Sequence, residues 1–324
     1  MHSARINSNA STNLSLNFSR PLTEKLLLLQ ILVGSFLYIN CLMIFTFLKK
    51  DFFREETRYI LFAQTLFVDT AFILVSDLLS VETFLQYPVN MVICSFIILI
   101  MNYFTCCTPL TLVAMCLERY VAVCMPLRHA DISTSKTRLY GLVIIWSISS
   151  IIPAFSFIGF WVAAPTVTLY SNKVCDAEIF SVNEWQAHGC AATYVILFIL
   201  MVSVIVFTYI KILIAARAAA SEKNKSNKSL RTVLLHGAQL FLCMMQFFNP
   251  YMEMAYWYVE EMTLRNIKYS NLIIFLFVPR SLSPLIYGLR DEKFYYVLRH
   301  YALCGTNYLF TTLNEIKQLK TRPT

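Results

Sequence analysis

Seven long apolar stretches, at roughly residues 26–48, 59–80, 91–116, 139–161, 191–214, 233–256 and 271–289, constrain this chain more than anything else in it. A helix needs about 20 mostly apolar residues to cross the hydrocarbon of a bilayer, and each stretch is of that length. In lipid every backbone N–H and C=O must find its partner within the protein, so segments of this kind fold as helices. The sixth stretch is interrupted by Asn249, Pro250 and Glu253, and the seventh by Arg280. Composition agrees: 57% of the chain is apolar and 14% charged, where a soluble domain has roughly 45–50% and a quarter. The expected fold class is an all-α membrane protein, a seven-transmembrane helix bundle over residues 26–290. Residues 1–25 read as a polar tail, and 291–324 as a short amphipathic eighth helix followed by a tail. The run Leu289-Arg290-Asp291-Glu292-Lys293-Phe294 opens that eighth helix on the membrane surface.

Lysine and arginine placement sets the orientation, because loops rich in them stay in the cytoplasm. With the N-terminus outside, twenty fall on the cytoplasmic side and six outside. The net charge of +8 therefore reflects topology rather than nucleic acid: no basic block or aromatic-and-glycine platform accompanies it. Residues 1–25 lack the apolar core of a cleavable signal peptide, so the first helix is expected to act as an uncleaved anchor. Three N-glycosylation sequons, at Asn9, Asn13 and Asn17, crowd this outer tail.

Other function classes fit poorly. A transporter tends to show internal repeats and broken helices in matching halves, and neither is evident. An enzyme is not expected, since there is no His-Glu-x-x-His, no Gly-x-Ser-x-Gly and no phosphate-cradling glycine loop. No cofactor or metal ion is expected.

Charges at a membrane boundary are costly and usually functional. Glu118 and Arg119 stand side by side in Met115-Cys-Leu-Glu-Arg-Tyr-Val-Ala-Val-Cys-Met-Pro-Leu-Arg128, where an apolar stretch meets a basic one. This run resembles the third-helix signature of rhodopsin-like (class A) G-protein-coupled receptors. With His129 following, it is most similar to the odorant (olfactory) receptor family, the fish branch in particular. Ser283-Pro284-Leu285-Ile286-Tyr287 resembles that family's switch motif in helix seven, with Ser283 where asparagine is usual. Lys228-Ser-Leu-Arg-Thr232-Val-Leu-Leu-His236 resembles its signature at the inner end of helix six.

The resemblance implies a receptor for a small-molecule odorant, coupled to a heterotrimeric G protein that raises cyclic AMP. It also implies a plasma-membrane location, in olfactory sensory cilia, in contact with membrane lipid. A non-olfactory class A receptor for a peptide, lipid or amine-like ligand is the alternative. The implied switch residues are Glu118, Arg119, Tyr120, Tyr209, His236, Pro284 and Tyr287, with Glu118 gripping Arg119 in a local ion pair. The implied disulfide is Cys94–Cys175, with Cys94–Cys190 as its rival. Ligand-lining positions follow from depth along the helices: Met101, Asn102, Thr105 and Cys106; Thr193 and Phe198; Phe247, Phe248 and Tyr251; Ile273 and Phe277. Met101 stands where amine receptors of this class carry a carboxylate. Asp77 and Glu253 are acids that could hold a cation, or lie solvated near the mouth or paired with Lys268.

Asp69 lies mid-span in the second helix, and a carboxylate at that depth needs a partner or an ion. In the family the matching aspartate helps to bind sodium. Here Arg280, one turn outward of Ser283, is placed to occupy the ion's position and pair with Asp69. The alternative, an arginine snorkelling outward, is costly at that depth.

Overall fold

A computed structural model describes residues 2–175, 184–219 and 261–302, with Phe241; for residues 2–22 and a few others it describes the backbone alone. The elements are α1 (His2–Lys49), α2 (Asp51–Glu55), α3 (Thr57–Leu85), β1 (Val89–Asn90), α4 (Met91–Cys124), α5 (Pro126–Ile132), α6 (Ser135–Ala163), α7 (Thr166–Leu169), β2 (Asn172–Lys173) and α8 (Glu184–Ala219). After the undescribed stretch come α9 (Glu261–Asn271), a π-helical segment (Leu272–Phe277), α10 (Val278–Arg290) and α11 (Glu292–Ala302).

Among the described residues six helical spans are long and apolar enough to cross a membrane: Thr23–Lys49, Thr57–Leu85, Met91–Cys124, Ser135–Ala163, His188–Ala215 and Asn266–Gly288. Each encloses or closely overlaps a stretch read from the sequence. The other predicted stretch, 233–256, lies outside the described residues apart from Phe241. The third helix continues past the apolar stretch that ends at 116, so Glu118 and Arg119 lie in the last two turns of α4, in keeping with a third-helix signature. The eighth helix begins where the sequence places it, as α11.

Local chemistry sets the ends. The Asn90 side chain accepts the Val92 N–H at 2.9 Å and caps α4, and Pro126 opens α5, where a missing N–H costs nothing. Gln86 closes α3 in a left-handed conformation (φ 51°), donating its N–H to the Thr83 carbonyl. Hydroxyls inside the spans have no water, and they bond back to their own helices. Thr65 donates to Leu61, Thr70 to Leu66, Thr111 to Cys107 and Ser149 to Ile145.

The interior is mainly apolar, as in a soluble protein, but the outer surface is apolar too and several polar groups are enclosed. Asp69, Arg280, Asn40, Thr108, Ser149 and Gln186 are buried, while Val143, Ile151, Ile158, Ile196, Leu200 and Phe207 face outward. That suits a lipid solvent, in which outward apolar groups are solvated and polar groups must be paired within. Helix α4 is central and packs against α3, α6 and α8. At one end Cys94 joins Cys175 (Cα–Cα 5.6 Å), beside the short β1–β2 pair with Val89 opposite Lys173. At the other end an aromatic cluster of Phe53, Tyr59, Phe62, Tyr287 and Phe294 fastens α10 and α11 to α3.

Candidate functional site

Helix α3 turns Asp69 toward the bundle axis, and α10 turns Arg280 to meet it. The π-helical segment ends two residues before Pro279, and the Val278 N–H reaches five residues back to the Ile273 carbonyl. Pro279 has no N–H to offer Phe275. The widened turn feeds directly into the strand of residues that carries Arg280, and π-turns recur at functional sites for this kind of re-aiming. Arg280 Nη1 donates to Asp69 Oδ1 at 2.8 Å, with the two side chains 1% and 0% exposed. Thr108 Oγ1 donates to the same carboxylate oxygen at 2.7 Å, and Arg280 Nη1 lies 3.0 Å from that hydroxyl. Nη2 reaches the Phe104 carbonyl at 3.5 Å, and the guanidinium plane lies 3.7 Å above the Phe72 ring. A planar, weakly hydrated, many-donor cation suits this cage, in a way that a lysine ammonium would not. The pairing expected from the sequence is therefore formed, and the outward-snorkelling alternative is excluded.

Of the residues expected to form the switch, those the structure describes lie toward the α11 end. Tyr287 is buried and stacks on Phe62, with centroids 4.0 Å apart and rings 15° from parallel. Pro284 lies within α10, one turn before it. Tyr120 sits 6.2 Å from the ring of Phe207, and Tyr209 packs on the same core as Tyr287. The expected local pair of Glu118 with Arg119 is not formed. Among the described residues the partner of Glu118 is His129 on α5, with Nε2 and Oε1 3.4 Å apart. Consecutive helical residues point about 100° apart, so adjacent charges do not face each other, whereas α5 folds back against the end of α4. His236 lies outside the described residues.

Toward the disulfide end, Met101 Sδ accepts from Ser76 at 3.6 Å, and Thr105 donates to the Met101 carbonyl at 2.9 Å. Asn102 is half-buried on the same helix, and Cys106 is buried. The placement of Thr193 on the inner face needs correction. Thr193 is exposed and donates to the Gly189 carbonyl of its own helix at 2.8 Å, while the next residue, Tyr194, packs inward. Phe198 packs with Tyr194 against Val113 and Met201. Ile273 and Phe277 turn toward Leu29, Val33 and Ile73 on α1 and α3. Phe247, Phe248, Tyr251 and Glu253 lie outside the described residues. Asp77 accepts from Gln30 Nε2 at 2.5 Å. The disulfide is Cys94–Cys175, and Cys190 is a free thiol 3.0 Å from Ser156 Oγ, so the Cys94–Cys190 rival is excluded. Nothing is described of the side chains of Asn9, Asn13 and Asn17.

Sequence reasoning missed three parts of the Asp69–Arg280 centre, Thr108, the Phe72 ring and the Phe104 carbonyl, and it missed His129 as the partner of Glu118. Thr108 carried one usable signal. It precedes Pro109, which cannot donate to the Thr105 carbonyl and so loosens α4 at the level of Asp69.

Residues 39–287 match the 7 transmembrane receptor (rhodopsin family) pattern. The chain is also 48% identical over 302 residues to a protein of zebrafish (Danio rerio) named Odorant receptor 131-2, an alignment covering 93% of each.

Proposed function

This chain belongs to the rhodopsin family of seven-transmembrane receptors, and from that premise we propose that it is an odorant receptor that signals through a heterotrimeric G protein. It is a receptor rather than an enzyme, and its fold is the family's seven-helix bundle. The observation that carries the odorant reading is the 48% identity, across nearly the full length of both chains, to a protein named for that role.

A small, mostly apolar molecule enters the bundle from the Cys94–Cys175 end, which faces outward together with the N-terminus. Cys106, Tyr194, Thr105, Met101 and Asn102 offer it an apolar wall with a few hydroxyl, thiol and amide groups. Pockets of this kind bind by apolar burial and take their specificity from a few polar contacts. The ligand acts only through its preference for one of two states. In the resting state the Asp69–Arg280 pair ties α3 to α10, and Tyr287 rests on Phe62. In the signalling state Tyr287 leaves Phe62, the cytoplasmic face opens, and Arg119 meets the G protein. The G protein is the stimulatory kind that raises cyclic AMP.

The test is a cyclic AMP assay in cells that display the chain at their surface, screened with a panel of waterborne odorants. An odorant-dependent rise, abolished by Arg119→Ala at equal surface expression, is the expected result. Silence with every G-protein class, despite good surface display, overturns the proposal.

A further inference from the structure

Tyr287 is gripped a second time, through its neighbour in space, Asp291. The Asp291 N–H donates to the Tyr287 carbonyl at 3.1 Å, closing α10. The Asp291 carboxylate then turns to α3 and α11 at once. Its Oδ1 accepts from the Tyr59 hydroxyl at 3.0 Å and from the Phe294 N–H at 3.0 Å, and its Oδ2 faces Arg58 Nη1 at 3.7 Å. Arg58 also donates to the Tyr59 hydroxyl at 3.0 Å and to Glu56 at 2.7 Å, and its guanidinium lies 4.5 Å from the centre of the Tyr59 ring. Tyr59 is fully buried, and the carboxylate is 13% exposed. Tyr59 and Phe62 are one helical turn apart on α3. The same face of α3 therefore holds Tyr287 by its ring and the end of α10 by Asp291.

Resting on the signalling role just given to Tyr287, we propose that Asp291, held by Tyr59 and Arg58, is a positioning residue that keeps Tyr287 on Phe62 and must release α3 before the receptor signals. The clamp works by geometry. Withdrawing Tyr287 from Phe62 drags the last turn of α10, because the Asp291 N–H is bonded to the Tyr287 carbonyl. The carboxylate cannot follow that turn and stay with Tyr59, which is fixed among Phe52, Phe53 and Phe294. Opening therefore breaks charge-assisted hydrogen bonds, which are the stronger kind.

Tyr59→Phe removes the bond to Asp291 and leaves the ring in its packing. Asp291→Ala removes the whole clamp. Cyclic AMP without odorant, divided by surface receptor, should rise about fivefold in Tyr59→Phe, the shift in equilibrium that one net hydrogen bond corresponds to. The double variant should not exceed Asp291→Ala, since Asp291→Ala already removes the bond to Asp291 that Tyr59→Phe removes. Basal signalling that is unchanged or lowered in Tyr59→Phe, or a double variant showing the product of the two single effects, overturns the inference. A merely structural role would lower surface display without raising the signal per receptor. Hydrogen exchange on the purified receptor needs no G protein and separates the two readings: faster exchange at the α11 amides in Tyr59→Phe is expected. Faster exchange from a receptor that never signals would sink the proposed function and leave the clamp standing. Unchanged exchange sinks the clamp.

Discussion

Removing one partner of the Asp69–Arg280 pair should injure this protein more than removing both. Neither side chain is more than 1% exposed, the N···O distance is 2.8 Å, and among the described residues only Thr108 gives the carboxylate oxygen a second donor. Arg280→Met would leave Asp69 charged, buried and supported by one hydroxyl. Losing one member of a buried pair costs about 3–5 kcal/mol, whereas exchanging both for neutral groups is often close to neutral. At roughly 2–4 °C per kcal/mol for a chain of this size class, Arg280→Met should lower the unfolding midpoint by roughly 6–20 °C. Asp69→Asn should cost less, because an amide oxygen still accepts from Arg280 and the guanidinium keeps the Phe72 face. The double variant, Asp69→Asn with Arg280→Met, should recover most of the loss. The buried thiols of Cys106, Cys107 and Cys116 provide the assay, since a thiol-reactive dye reports their exposure as detergent-solubilised receptor unfolds. Surface display in cells should rank the variants in the same order. A double variant that falls by the sum of the two single losses would mean that the groups act independently, and the stabilising role of the pair would have to be abandoned.

Three further outcomes follow from the geometry. Cys175→Ser opens a loop of 81 residues and should cost about 4–5 kcal/mol in the chain-entropy account, read as a lowered unfolding midpoint, while Cys190→Ser should leave it within about 1 °C. Gly159→Ala should destabilise by about 1–3 kcal/mol, because a methyl there would stand 2.6 Å from Gln186 Nε2, and Gln186→Ala in the same chain should restore the midpoint. Tyr194→Phe should shift odorant potency by about tenfold through its inward hydroxyl, the scale of one unpaired buried polar group, whereas Thr193→Ala should not move it. Equal potency shifts in both would mean that α8 is rotated from the register described.

Much of the fold was legible because span formation is a local matter. Each stretch of about 20 apolar residues must become a helix in lipid, whatever its neighbours do. The Asp69–Arg280 pair was legible for a related reason: two opposite charges at one depth, in a medium that penalises either alone, leave few arrangements. Thr193 was placed wrongly because depth along a helix can be counted from sequence, but rotation about its axis cannot. Turning α8 by one residue exchanges Thr193 for Tyr194, and only contacts with α4 decide between them. Glu118 fared likewise. Its sequence neighbour Arg119 was the obvious partner, yet helix geometry splays adjacent side chains and hands Glu118 to His129 on α5.

The sequence by itself determined the spans, the charge bias along the chain, the disulfide-competent cysteines and the two buried ions, because solvation in lipid acts on each residue where it stands. Only the tertiary structure decided which faces meet. It brought Thr108, Phe72 and the Phe104 carbonyl around Arg280, chose Cys175 over Cys190, and joined Tyr59 to Asp291 across 232 positions. Those choices depend on how helices pack and rotate against one another, and that energy belongs to pairs of surfaces rather than to any stretch of sequence.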